Sequence, residues 1–154
     1  MARLNFYIEI AAPADRVAAF FVPQRMPLWY GAEMETELEV QGGVADFAAG
    51  EKVRITGRLG RREVSLTAVV TQYEFGRVLE WQFHDTYGVR GMQRFEIEPM
   101  AEGETRVRLR DEYDLPGRFG KFWDWLAMRH AVEQRDRAWL AKLKGITERR
   151  STGS

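Results

Sequence analysis

The Pro116-Gly117 pair divides this chain into two textures, and that division constrains the fold more than any other feature. Upstream of it, short segments with apolar residues at every second position are separated by glycine-containing turns, the pattern of half-buried β-strands. Downstream, residues 118–148 contain no proline. There Phe122, Trp125, Leu126, Val132, Trp139, Leu140 and Leu143 recur at helical spacing. A helix of about 30 residues spans roughly 45 Å. Its apolar stripe needs a partner surface, and the strands supply one.

Residues 3–11 alternate, with Leu4, Phe6, Ile8 and Ile10 on one face. Ala12-Pro13-Ala14-Asp15 then opens a helix, because proline fits the first turn and an acidic group suits the positive end of the dipole. Val17, Ala18, Phe20 and Phe21 form its apolar face; Pro23 ends it, and residues 25–30 read as a second short helical piece. Residues 33–40 predict a strand with Glu33, Glu35, Glu37 and Glu39 on one face and Met34, Thr36, Leu38 and Val40 on the other. Residues 51–59 place Lys52, Arg54 and Arg58 together, so antiparallel pairing sets a basic row beside the glutamates as a solvated charge ladder. Segments 63–75, 78–85, 91–99 and 104–115 complete a meander. The expected fold is α+β: about seven antiparallel strands wrapped around a long C-terminal helix, two short helices after the first strand, and an internal cavity. Residues 1–148 read as one domain and 149–154 as a disordered tail.

Charge and rare residues narrow the chemistry. The 23 basic and 23 acidic residues cancel, which argues against a nucleic-acid partner. There is no cysteine, and His84 and His130 alone give no recognisable zinc spacing, so neither a metal nor a cofactor is expected. Ser65 is the one serine before the tail and sits mid-strand, away from any nucleophile-elbow context. No apolar run reaches the roughly 20 residues of a membrane span, and the N-terminus lacks a signal-peptide pattern. A cytoplasmic monomer or homodimer is the expectation. The helix cations Arg129, Arg135, Arg137, Lys142 and Lys144 interleave with Glu133, Asp136 and Glu148 and read as a solvated face.

Strand periodicity sorts inward from outward side chains. It turns Leu79, Trp81, Phe83 and Asp85 inward, then Gln93, Phe95 and Ile97, and finally Thr105, Val107, Leu109, Asp111 and Tyr113. An inward aspartate is costly unless paired, hydrogen-bonded or neutral, which singles out Asp111. The helix offers Arg129, His130 and Arg137 as partners. Asp111 with His130 would make an acid/base pair suited to enolisation or aldol-type cyclisation of a ketone; the other reading is a structural ion pair locking helix to sheet. Asp85, before Thr86-Tyr87-Gly88, reads as a turn cap. Nine Phe, five Tyr and five Trp exceed what a compact core needs, which favours a ligand cavity. Trp81, Phe83, Phe95, Tyr113, Phe122 and Trp125 would converge on it, with Trp29 and Tyr30 near its mouth. Thr36, Gln93, Leu126 and Arg129 complete the candidate binding set, and Phe119, Phe122 and Trp123 are candidate gate residues.

Taken in order, Ile10-Ala11-Ala12-Pro13-Ala14-Asp15-Arg16-Val17, Trp29, Leu79-Glu80-Trp81, Glu104-Thr105-Arg106-Val107 and Leu115-Pro116-Gly117 resemble the START/Bet v 1-like superfamily, in its polyketide cyclase/dehydrase-like (SRPBCC) branch. The resemblance spans about residues 3–147. It implies a helix-grip fold with an interior cavity for lipids, sterols, polyketides or other apolar small molecules. It leaves three functions open: a binding or carrier module for such a hydrophobic ligand; a polyketide cyclase, aromatase or dehydratase using Asp111, His130, Arg129 and Tyr113; and a chaperone-associated interaction domain. The last predicts a nearly filled interior and an exposed apolar patch.

Overall fold

Alternation of apolar and polar residues folds seven segments into one antiparallel sheet. A computed structural model describes residues 2–42, 46–85, 88–114 and 122–152, excepting the side chains of 59, 122–126 and 150–152. The strands are β1 (Ala2–Ile10), β2 (Glu37–Val40), β3 (Lys52–Leu59), β4 (Arg62–Glu74), β5 (Val78–Asp85), β6 (Arg90–Pro99) and β7 (Thr105–Asp114). Helix α1 (Ala14–Ala18) and two 3₁₀ turns, Met26–Leu28 and Ala32–Met34, follow β1; α2 (Phe122–Thr152) closes the chain. The sheet order is β1-β7-β6-β5-β4-β3-β2, so β1 and β2 form the edges. This is the expected α+β helix-grip architecture, with α2 laid against the sheet and packed on β1.

The registers follow from the inward faces. In β7, Thr105, Val107, Leu109, Asp111 and Tyr113 are buried, and Gly91 of β6 stands directly opposite Tyr113. A side chain at position 91 would run into the Glu112 carbonyl and the Phe83 ring, so this mid-strand glycine is a close-approach residue. A register shift between Val70 and Gln72 bends β4 against β5.

Four local expectations change. The strand predicted over 33–40 is broken: Ala32–Met34 is a 3₁₀ turn, Gly31 and Glu35 adopt left-handed backbones (φ 64° and 52°), and β2 begins at Glu37. The Thr36 hydroxyl donates to the Gly31 carbonyl at 2.8 Å and closes that turn. The charge ladder is correspondingly short, with Glu39 opposite Arg54 and, one strand on, Glu63 opposite Arg58. Helix α1 stops at Ala18 rather than running through Phe21, because Phe20 and Phe21 turn into the core and the Trp29 indole nitrogen takes the Phe20 carbonyl at 2.8 Å. Helix α2 continues through 149–152, where the sequence predicts a frayed tail; the Arg149 guanidinium donates back to the Gly145 carbonyl. Finally, α2 does not present Asp136 to water. The buried row of α2 runs Val132, Asp136, Trp139, Leu140, Leu143 and Thr147, with a carboxyl in its middle.

Candidate functional site

Two neighbouring parts of the interior are built differently. At one end, Phe21, Trp29, Tyr30, Phe47, Trp81 and Phe95 pack together, tilted for Phe21–Trp29 (ring centroids 5.0 Å apart) and edge to face for Trp29–Phe95 (5.6 Å) and Phe47–Trp81 (5.8 Å). These rings fill their space. Beyond them a cavity of about 300 Å³ opens between the sheet, the Ala32–Met34 turn and α2. That is the lower end of the roughly 300–1,000 Å³ typical of small-molecule sites. Its walls are Met34, Ile55, Val64, Leu66, Phe83, Val89, Met128 and Val132, with Gly57 contributing bare backbone where a side chain would press on Met34 and Thr36.

The polar groups gather on one side of this apolar chamber. Gln93 is a hub: its carbonyl accepts from the Tyr30 hydroxyl at 2.7 Å and from the Trp81 indole at 3.0 Å, while its amide donates to Asp111 at 3.4 Å. Asp111, 1% exposed, also accepts from Arg135 at 3.2 Å. The same guanidinium reaches Asp136 at 3.3 Å and lies 4.4 Å over the Trp139 ring. Trp139 in turn donates to the Glu33 carboxylate at 3.1 Å. The cluster therefore joins β7, β6, the Ala32–Met34 turn and α2.

Burial pushes the Asp136 carboxyl up to about 9, reinforced by its hydrogen bond to Asp111 and that neighbour's charge; Arg135 only partly offsets this. Asp136 thus holds a proton at neutral pH and is a donor beside Asp111. Asp111 Oδ1 and Asp136 Oδ2, which receive no nitrogen or hydroxyl donor, are where that proton belongs. Burial likewise raises the Tyr30 and Tyr113 hydroxyls, keeping both neutral. The Tyr113 hydroxyl is buried and has no hydrogen-bond partner among the described residues.

Of the sequence-predicted residues, Tyr30, Thr36, Phe83, Asp111 and Tyr113 line the cavity. Trp29, Trp81, Gln93 and Phe95 lie behind it in the filled block or the polar hub. Arg129 is half-buried and acts on Tyr113 through its charge without lining the cavity. The Asp111–His130 pair is not what the structure assembles: His130 is exposed on α2, and Asp111 is instead met by Arg135. Arg137 pairs with Glu133 at 3.1 Å and lies over the Phe6 ring. Asp85 caps its turn as expected, accepting from the Val89 amide at 2.9 Å, and its side also reaches the cavity rim. The side chains of Phe122, Trp123, Trp125 and Leu126, and residue Phe119, lie outside the described residues.

Sequence reasoning missed Arg135, Asp136, Glu33 and Trp139 as site residues. One signal was available. Position 136 falls four residues after Val132 and four before Leu140, on the apolar stripe, so a carboxyl there demands a buried partner.

Comparison with known proteins agrees with this fold. The ZhuI aromatase/cyclase from Streptomyces sp. R1128 superposes with a TM-score of 0.75 at 18% identity, over 97% of this chain and 95% of that one. The di-domain aromatase/cyclase BexL of the BE-7585A biosynthetic pathway gives 0.76 at 20% identity over 99% of this chain, which spans about half (48%) of BexL. A conserved protein from Geobacillus kaustophilus gives 0.75 at 11% identity, covering 96% of both chains. At these identities the likeness establishes the fold alone. No curated protein sequence matches the chain. The family profile described as polyketide cyclase/dehydrase and lipid transport matches residues 1–148, and the chain belongs to that family.

Proposed function

We propose that this protein binds an apolar or amphipathic small molecule, of lipid, polyketide or aromatic type, in the cavity between sheet and α2. The observation that carries the reading is the unfilled, mostly apolar chamber beside a block of tightly packed rings. A chain that buries Trp29 edge to face against Phe95, and leaves space between Val64, Phe83 and Val132, keeps that space for an occupant. Native mass spectrometry on protein purified gently from its own host tests this. The expected result is an adduct that denaturation releases and that Val64→Trp, which fills the chamber, removes. A bare protein that also binds nothing from a panel of lipids and polyphenols would overturn it.

A second reading is catalytic, favoured by the Asp111–Asp136–Arg135 cluster. The raised Asp136 carboxyl beside a second carboxyl, Asp111, at the wall of a cavity has the make-up of a general acid/base site for a ketone substrate. Asp111 would exchange the proton with bound substrate; Asp136, which does not line the cavity, would position and replenish it. Asp111→Asn is then expected to abolish turnover of the ligand found above while leaving its affinity within about threefold. Equal turnover in the variant would remove Asp111 from the chemistry, and no turnover by the wild-type protein would leave binding as the function. A chaperone-associated role gains no support: the interior is not filled, and the exposed large apolar residues among those described, Tyr7 in β1, Leu28 in the Met26–Leu28 turn, and Phe75 and Met100 in the turns after β4 and β6, come from four separate segments. No described helix is long and apolar enough to cross a membrane. A cytoplasmic monomer or homodimer, with no nucleic-acid partner, remains part of the proposal.

A further inference from the structure

The polar equipment of the cavity has a definite charge character. Arg135 is the one cation among the described residues that line it, and its guanidinium is already committed to Asp111, to Asp136 and to the face of Trp139. The other ionisable side chains on the lining are the carboxyls Glu33, Asp85 and Asp111 together with the two phenols, Tyr30 and Tyr113. Glu33 is tied to the Trp139 indole, Asp85 to the Val89 amide, and Tyr30 to Gln93. The Tyr113 hydroxyl is left over. It belongs to a residue 2% exposed, opposite the side-chain-free Gly91, and it makes no hydrogen bond to any described residue. A buried hydroxyl without a partner is costly, and a ligand oxygen is what would satisfy it.

Resting on the binding function proposed above, we infer that the cavity selects its ligand by charge and by one anchor. The occupant is a neutral apolar molecule whose carbonyl or hydroxyl oxygen meets the Tyr113 hydroxyl, and the carboxylate of the same skeleton is rejected. Two features exclude the anion. The available donor is a neutral phenol, and among the described lining residues three carboxyl side chains face one arginine, Arg135, that is already committed; Arg129, whose charge reaches Tyr113, does not line the cavity. A carboxylate would give up its hydration for one neutral donor in a mostly apolar chamber. A pure hydrocarbon would fit the walls but leave Tyr113 unsatisfied. Anchor and walls together thus read the presence of an oxygen and the absence of a charge.

The test uses three probes of one skeleton, 2-acetylnaphthalene, 2-ethylnaphthalene and 2-naphthoate, titrated by tryptophan fluorescence and by calorimetry at pH 7 against the wild-type protein and Tyr113→Phe. That substitution removes only an unpartnered hydroxyl, so the fold is expected to survive it, and circular dichroism checks this. The ketone is expected to bind about threefold to tenfold more tightly than the hydrocarbon, the usual range for one hydrogen bond. Naphthoate is expected to bind at least tenfold more weakly than the ketone. In Tyr113→Phe the ketone and the hydrocarbon should converge while hydrocarbon affinity is unchanged or improved. Naphthoate binding as tightly as the ketone, or a ketone advantage that persists in Tyr113→Phe, would overturn the inference but leave the cavity function standing. Failure of all three probes to bind the wild-type protein would overturn both.

Discussion

The filled aromatic block and the open cavity share a wall, and the contrast between them shows where this sequence spends its packing. Tyr30 belongs to both: its ring meets Trp29, Trp81, Phe95 and Trp139, and its edge lines the chamber. On the block side, rings interlock edge to face and Trp29 seals its own indole nitrogen onto a backbone carbonyl. On the cavity side, the walls are aliphatic or thioether groups, such as Met34, Leu66, Met128 and Val132, which adapt to an occupant. The block holds the fold, and the chamber draws on the rigidity so provided. Between them stands a polar seam, Gln93–Asp111–Arg135, which satisfies groups from both sides.

If that division is correct, truncation should hurt most in the block. Trp29→Ala is expected to cost about 3–5 kcal/mol, since it removes a fully buried ring and its hydrogen bond; urea denaturation of this variant beside Leu66→Ala checks it. Leu66→Ala, enlarging a space already present, should cost about 2 kcal/mol or less. Equal losses would erase the distinction between block and chamber. The seam gives an intermediate effect with a pH signature. The Asp136 carboxyl titrates near 9 in the folded protein, against an ordinary value near 4 when unfolded, so between those limits the unfolded chain binds fewer protons. Stability from this group is therefore present below about pH 4 and is progressively lost as pH rises toward 9. Asp136→Asn, which is neutral throughout, should flatten that slope in chemical denaturation curves at pH 5 and pH 9, and should be the more stable of the two proteins at pH 9. The smallest effect belongs to the chamber itself. Val132→Ile, adding one methylene where there is room, should change stability by less than about 1 kcal/mol while weakening ligand binding, because the added group competes with the occupant.

The fold was legible because its two periods are long. Leu4 to Ile10 in β1 and Thr105 to Tyr113 in β7 alternate without a break, and the apolar stripe of the C-terminal segment recurs in sequence from Phe122 to Leu143, about six turns. The Glu33–Val40 segment misled for a physical reason: it alternates well, but Gly31 and Thr36 form a hydrogen-bonded turn whose closure outweighs the strand preference. The site was legible only halfway. An inward Asp111 could be read from β7 alone, whereas its partner depends on how α2 is rotated and slid over the sheet. Arg135 and His130 lie about 140° apart around the helix axis, and Arg135, three residues after Val132 and four before Trp139, is the one that flanks the apolar stripe. Asp136 was misread because a carboxyl amid charged neighbours suggests water; only its place between Val132 and Leu140 says otherwise. The ring block was visible as composition, but which rings pack and which line a void depends on three-dimensional fit that periodicity does not encode.

The left-handed pair Gly31 and Glu35, which bends the chain into the lip of the cavity, also shortens β2 to four residues carrying Glu37 and Glu39. That strand is one border of the sheet. A full eight-residue border would offer another chain a long row of unpaired amides; this one offers a brief, acidic stub. The same turn that shapes room for a guest therefore guards the protein against sheet-to-sheet association with its own copies.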